Sequence, residues 1–287
     1  MTQFDTTYAN LHMHSYCSDA YFRPLHLPRI AKSLGHSAIA LTDHETLCGL
    51  PEFFAEAKAC GIEAISGVEI FAALDGVAKP IHLTGLDFDP THPSIVSFTQ
   101  KITKARNENT RAKFEIAVEK GIFKGITWND VVRCNHHTDW FYSTQVYYAL
   151  DRMNIIPLSR RYETNSAAFE SPEANAVPLY IAPMEEVIKA IRDAGGVAVL
   201  AHPAESIFPR VREMVDMGLN GIEISYPSAT EKSARLAIHA AMEYNLYCSG
   251  GSDHSGPLSS LGGPYVGVVH SGITKNDFEI LRNRALG

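Results

Sequence analysis

The chain lacks the features that would place it in a membrane or outside the cell. No apolar run approaches the roughly 20 residues a bilayer-crossing helix needs. The opening MTQFDTTYANLHMHS has no basic segment followed by an apolar stretch, so it does not read as a secretory leader. Cysteine is sparse: five residues, an odd count with no CxxC pair, which excludes a disulfide framework and fits reduced thiols in the cytoplasm. Excess positive charge is missing too. The formal net charge of −7 argues against coating long nucleic acid by bulk electrostatics, while leaving room for a local basic pocket around a small phosphate ester. No repeat of solenoid period is visible. What remains is a composition ordinary for a globular enzyme, 45% hydrophobic and 20% charged over 287 residues, with histidine as the outlier at thirteen.

Strands and helices alternate at both ends of the chain. TYANLHMHS reads as a strand, LPRIAKSLGHS as an amphipathic helix closed by Gly35, SAIALTDHE as a strand, PEFFAEAKACG as a helix, and IEAISGVEIFA and PIHLTGLDF as strands. This rhythm predicts parallel strands joined by right-handed crossovers. It breaks near Asp89-Pro90-Thr91-His92-Pro93 and resumes after Pro183. The expected architecture is therefore α/β: a barrel formed by residues 1–90 and 184–287, interrupted by a mainly helical insertion at 91–183.

Almost every barrel strand ends in a potential metal ligand. His12 and His14 are two apart, so on an extended strand they point to the same side and can chelate one ion together. Asp19 follows just beyond. Asp43-His44-Glu45, Glu69, His82, His202 and Asp253-His254 come from other strands. In parallel barrels, sites form at the C-terminal strand ends, so all of these are directed to one face. Imidazole with carboxylate suits zinc, iron or manganese, and no cysteine accompanies them as in a structural zinc finger. A single histidine at a strand end is more often a hydrogen-bonded core or surface residue. Six strands converging by accident is implausible.

These motifs, His12-x-His14 with Asp19, Thr42-Asp43-His44, Gly67-Val68-Glu69, His82, Ala201-His202-Pro203 and Gly251-Ser252-Asp253-His254, resemble those of the polymerase and histidinol phosphatase (PHP) superfamily, over residues 8–88 and 186–270. The closest resemblance is to its small stand-alone phosphoesterases with an insertion. It implies a distorted (β/α)7 barrel and a phosphoric ester hydrolase carrying three divalent ions. His12, His14, Glu69 and Asp253 would hold the first ion. Glu69 would bridge to a second, held also by His82 and His202. Asp19, His44 and His254 would hold a third. Glu69, His202 and Asp253 are the catalytic candidates, since a hydroxide bridging adjacent ions attacks phosphorus. Asp43 is expected only to orient a neighbouring imidazole. The sequence departs from many relatives in having Ala20 after Asp19, where they have Gly, and Glu45 after His44, where they have Asp.

Phosphate sites commonly add guanidinium groups. Arg23, Arg133, Arg160 and Arg161 are the substrate-contact candidates, each weighed against an ordinary solvated cation, and His136-His137 is either surface or a substrate contact. Tyr142, Tyr147 and Tyr148 suit packing better than base stacking. Gly250-Gly251 and Gly262-Gly263 read as turns or close backbone approaches rather than nucleotide loops. The expected activity is hydrolysis of small phosphate esters such as nucleotides, cyclic phosphates or sugar phosphates, with neither a membrane nor long nucleic acid as partner. Two alternatives stay open: an exonuclease on short oligonucleotides, and an amidohydrolase acting on C–N bonds. The latter commonly bridges its metals with a carbamylated lysine, and no lysine sits at a barrel strand end here.

Overall fold

A computed structural model describes residues 8–254 and 271–286. The Gly262-Gly263 pair lies outside them. The first barrel half runs β1 (Ala9–Asn10), α1 (His26–Ser33), β2 (Ala38–Leu41), α2 (Leu50–Cys60), β3 (Glu63–Ala73) and β4 (Ile81–Leu86). The intervening segment is helical: α3 (Pro93–Glu119), α4 (Trp128–Cys134), α5 (Ser143–Arg152), α6 (Arg161–Phe169) and α7 (Pro172–Asn175). The second half is β5 (Ala182–Pro183), α8 (Met184–Asp193), β6 (Val197–Leu200), α9 (Val211–Asp216), β7 (Gly221–Ser225), α10 (Glu231–Tyr244), β8 (Tyr247–Gly250) and α11 (Lys275–Arg282).

The strands pair in the order β1-β2-β3-β4-β6-β7-β8, with β5 as a short addition to β3. The Leu11 amide donates to the Gly250 carbonyl (3.0 Å), and Met13 bridges to His254 in parallel, bringing the last strand back to the first. The result is a nearly closed seven-stranded barrel. β2 (AIAL) and β6 (VAVL) are buried at every position, as strands covered on both faces must be. α8 turns Met184, Val187, Ile188 and Ile191 inward at helical spacing, its polar residues facing out.

One strand corrects the all-parallel expectation. β4 runs antiparallel to both β3 and β6. The β3–β4 connection is a short hairpin-like return, too short for a helical crossover. His82 therefore stands at the start of its strand rather than at its end. Reversing the strand puts that start at the same barrel mouth as the ends of its neighbours.

The helical segment has a core of its own, built on Phe114, Phe123, Phe141, Tyr147, Leu150 and Phe169. Its first helix is shared. Ile95 and Ile102 of α3 pack into the barrel core with Ile188 and Ile191, while Phe114 and Ala117 of the same helix belong to the insertion's core. Burying such side chains contributes about 1.5–3 kcal/mol each, so α3 ties the two parts together.

Candidate metal centre

Glu69 sits at the middle of the barrel mouth, buried, and its two carboxylate oxygens face different sets of histidines. Oε2 lies 3.3 Å from His12 Nε2, 3.2 Å from His14 Nε2 and 3.2 Å from His44 Nδ1. Oε1 lies 2.9 Å from His82 Nδ1 and 3.0 Å from His202 Nε2. Asp253 Oδ1 adds contacts of 3.6 Å to His12 and 3.3 Å to His14. Asp19 reaches His44 Nε2 at 3.6 Å and His14 Nδ1 at 3.9 Å. Ligand atoms within 4.8 Å of one another form three groups: His12, His14, Glu69 and Asp253; Glu69, His82 and His202; His14, Asp19 and His44.

These groups fit divalent ions. Donors about 2.1 Å from a common ion stand roughly 3–3.5 Å from one another, close to the spacing of the five Glu69–histidine contacts. Five nitrogen atoms, His12 Nε2, both ring nitrogens of His14, His44 Nδ1 and His254 Nε2, are buried without a hydrogen-bond partner, as are Glu69 Oε2 and Asp19 Oδ1. Orphaned buried polar atoms are rare and call for an explanation such as an ion. The electrostatics agree. Burial opposes charge on the His14 imidazole, yet the Asp253 and Glu69 carboxylates beside it hold its pKa up at about 10. Burial would likewise raise Asp19, but His44 and His14 beside it hold it down at about 2. Clustered carboxylates thus draw positive charge into a buried pocket, a demand that metal cations meet.

The local backbone is shaped for this convergence. His202, Asp253 and Glu45 have φ of 29°, 45° and 55°, in a region non-glycine residues rarely adopt. Gly251 is required for a different reason. A Cβ there would lie 2.3 Å from the His12 amide nitrogen, so only glycine lets the β8 loop lie against β1 and deliver Asp253.

His254 falls outside the three groups: the structure sets His14, rather than His254, with Asp19 and His44. Its ring is held neutral, with a pKa lowered to about 4 by burial and the nearby His14. Asp43 does not orient an imidazole. Its carboxylate accepts from the Ser15 amide (2.7 Å), the Ser15 hydroxyl (2.6 Å) and the Ser18 hydroxyl (2.6 Å), and so pins the loop between His14 and Asp19.

Arg23 pairs with Glu52, Arg133 with Asp130 and Arg160 with Glu163, all as exposed pairs, and Arg161 stacks on the Tyr162 ring. His136 is exposed. His137 is half-buried, stacked on Tyr16 at 3.8 Å between ring centroids, with Nε2–H donating to the Tyr16 carbonyl (3.2 Å). Of the tyrosines, Tyr147 is buried in the insertion core and Tyr148 donates to the Ala20 carbonyl.

Two groups escaped the reading of the sequence. Glu223, fully buried in β7, accepts from His12 Nδ1–H (2.8 Å) and from the His202 amide (2.6 Å). Its signal was a lone carboxylate inside the apolar strand GIEIS. The second is an ion pair of Glu45 with Arg106 from α3. The guanidinium Nε and Nη2 donate to the two carboxylate oxygens at 2.9 and 3.0 Å, and Trp140 Nε1 adds a third bond at 3.1 Å.

Comparison with known proteins agrees with this geometry. The PHP domain model matches residues 10–127. A 5′-3′ exoribonuclease of Haemophilus influenzae is 30% identical over 256 residues, covering 86% of this chain and 90% of that protein. A 3′,5′-nucleoside bisphosphate phosphatase of Chromobacterium violaceum is 30% identical over 259 residues, covering 86% and 87%. Among solved structures, that of a proposed metal-dependent phosphoesterase from Bifidobacterium adolescentis superposes with a TM-score of 0.79 at 24% identity, covering 96% of each chain. The barrel and its ligand cluster define a metal-dependent phosphoesterase. The chain belongs to the PHP domain family.

Proposed function

We propose that the protein hydrolyses phosphate esters of nucleotides or similarly small phosphorylated compounds at a centre of three divalent ions. The observation that carries this is the division of Glu69: one oxygen faces His12, His14 and His44 and the other His82 and His202, the arrangement of a carboxylate shared between adjacent ions. His12, His14, Glu69 and Asp253 hold one ion, Glu69, His82 and His202 the second, and Asp19 and His44 the third, with His14 or His254 completing it. Such ions, manganese, iron or zinc by ligand type, supply Lewis acidity toward phosphoryl oxygens and lower the pKa of water. The chain's own part is to fix the ligands. Glu223 sets the His12 tautomer, Asp43 pins the loop before Asp19, and the barrel mouth buries the centre.

The helical segment at 91–183 acts as a cap that sets substrate preference. It contacts the loop carrying Asp19 directly: Tyr148 donates to the Ala20 carbonyl, Gln145 to that of Ser18 and Thr138 to that of Cys17. Arg160 and Arg161 on this segment are the cations to test first for contact with substrate.

A second reading, exonucleolytic cleavage of short RNA from the 5′ end, is supported by the exoribonuclease of Haemophilus influenzae, as similar to this chain as the bisphosphate phosphatase. A C–N hydrolase is disfavoured, because the side chain standing between the two histidine sets is a carboxylate, Glu69, where such enzymes commonly carry a carbamylated lysine. The test supplies manganese and compares phosphate release from nucleoside 3′,5′-bisphosphates with nucleotide release from 5′-phosphorylated oligoribonucleotides. Rapid phosphate release with intact oligonucleotides supports the first reading, and progressive shortening supports the second. Failure on both, with turnover of an amide or lactone, would overturn the phosphoesterase assignment.

A further inference from the structure

Two cysteines that play no part in the metal centre meet at the seam between barrel and cap. Cys17 lies in the loop between His14 and Asp19, and Cys48 in the loop following His44 and Glu45. Although 30 residues separate them, both thiols approach the same carbonyl oxygen, that of His137 in the cap, Cys17 Sγ at 3.7 Å and Cys48 Sγ at 3.9 Å. Cys17 is buried and Cys48 exposed, while Cys60, Cys134 and Cys248 lie on other elements, α2, α4 and β8.

We propose that Cys17 and Cys48 are a reversible disulfide site, closed by hydrogen peroxide and reopened by a thiol reductant. The geometry assigns the roles. Cys48, the accessible sulfur, attacks the peroxide, displacing hydroxide and becoming a sulfenic acid. Cys17, held at the same carbonyl, attacks that sulfur and releases water. Overall, two thiols lose two hydrogens and two electrons, the S–S bond forms, and the peroxide O–O bond is reduced to two molecules of water. A neighbouring resolving thiol is what separates a reversible site from a cysteine that oxidises onward to sulfinic acid.

The bond would staple the loop bearing Asp19 to the loop following His44. It would also remove both S–H donors from the His137 carbonyl, so the oxidation state is registered at the contact between barrel and cap.

The test uses the full-length, manganese-loaded protein, treated with hydrogen peroxide, alkylated and digested with trypsin. Arg29 and Lys32 lie between the two cysteines, so they fall in separate peptides. The expected product is a cross-linked Cys17–Cys48 peptide pair, lighter by two hydrogens than its reduced parts and lost on reduction with dithiothreitol. Cys17→Ser should abolish the cross-link and send Cys48 on to sulfinic acid, whereas Cys134→Ser should leave it in place. Because the readout is mass, it does not depend on turnover. Irreversible oxidation of Cys48 in the wild type without the cross-link, or cross-linking to any other cysteine, would overturn the proposal.

Discussion

Glu223 Oε1 accepts from His12 Nδ1–H at 2.8 Å, with both side chains fully buried. That bond fixes the imidazole tautomer and leaves Nε2, the nitrogen facing Glu69 and Asp253, with a free lone pair. The second Glu223 oxygen accepts from the His202 amide, at a residue whose φ is 29°. One carboxylate therefore steers a ligand from each of two groups. Glu223→Gln keeps the size but offers only one acceptor oxygen, and its NH2 group opposes the second donor. Partners of this kind typically affect metal affinity or activity by about 10–100-fold. The expected result is a loss in that range with the fold retained, checked by manganese titration and steady-state kinetics alongside circular dichroism.

Glu69→Ala removes the group common to two of the three ligand sets, together with its contact to His44 of the third. Phosphate release should fall by orders of magnitude, and metal content should fall with it. Elemental analysis of the purified variant checks both. Wild-type turnover at full metal occupancy would refute the assignment.

The sequence alone suggests that removing residues 92–182 would spare the barrel, since every ligand motif lies outside that segment. The structure changes the expectation. Deletion takes Ile95 and Ile102 from the barrel core and strips Arg106, Thr103 and Trp140 from the buried Glu45, which directly follows His44. A buried ion pair broken on one side costs about 3–5 kcal/mol, whereas replacing both partners by apolar groups is often nearly neutral. Arg106→Met should lower stability by about that amount, and Glu45→Met with Arg106→Met should recover most of it. Urea unfolding of the two variants measures the difference.

Why some of this was legible and some was not follows from range. His12-x-His14, His202 and Asp253 stand just beyond strand ends, where a two-residue period and parallel topology direct them to one mouth, whereas Glu69 lies inside β3 (Glu63–Ala73). The reversal of β4 was hidden because an antiparallel strand of six residues has the same apolar content as a parallel one. Arg106 was hidden because it sits in a polar run of a 27-residue helix, where a cation ordinarily faces solvent. Only tertiary packing against Glu45 identifies it. Glu223 was visible in principle, since a lone carboxylate within an apolar strand needs a buried partner.

Acid should loosen the seam between barrel and cap through His137. Burial, with help from Arg152, His136 and Arg23, lowers its pKa to about 4 from the ordinary value near 6.5. The folded state thus binds fewer protons than the unfolded state between those values. Stability is unaffected above pH 6.5 and declines as pH falls toward 4. Gln at position 137 can still donate to the Tyr16 carbonyl but does not titrate. The wild type should therefore lose more stability than His137→Gln between pH 7 and pH 4.5, as read by denaturant midpoints. Equal losses would remove His137 as a source of acid sensitivity.

Asp19 gives the sharpest test of the third ion. Glu69 and His14 each belong to two of the ligand groups, so mutating either disturbs more than one site, whereas Asp19 belongs only to the group with His14 and His44. Its carboxylate is held ionised, at a pKa of about 2, and Oδ1 is buried without a hydrogen-bond partner. Asp19→Ala should therefore lose about one equivalent of manganese while the ions between Glu69 and the other histidines remain, because removing one anionic ligand weakens its own site most. His254→Ala separates the two ways of completing that site. If His254 is a ligand it should match Asp19→Ala in metal content, and if His14 alone completes the group it should retain all the metal. Anomalous scattering from crystals of each variant counts the ions directly. Identical occupancy in the wild type and Asp19→Ala would leave the centre with two ions and Asp19 as a group that only orients His44.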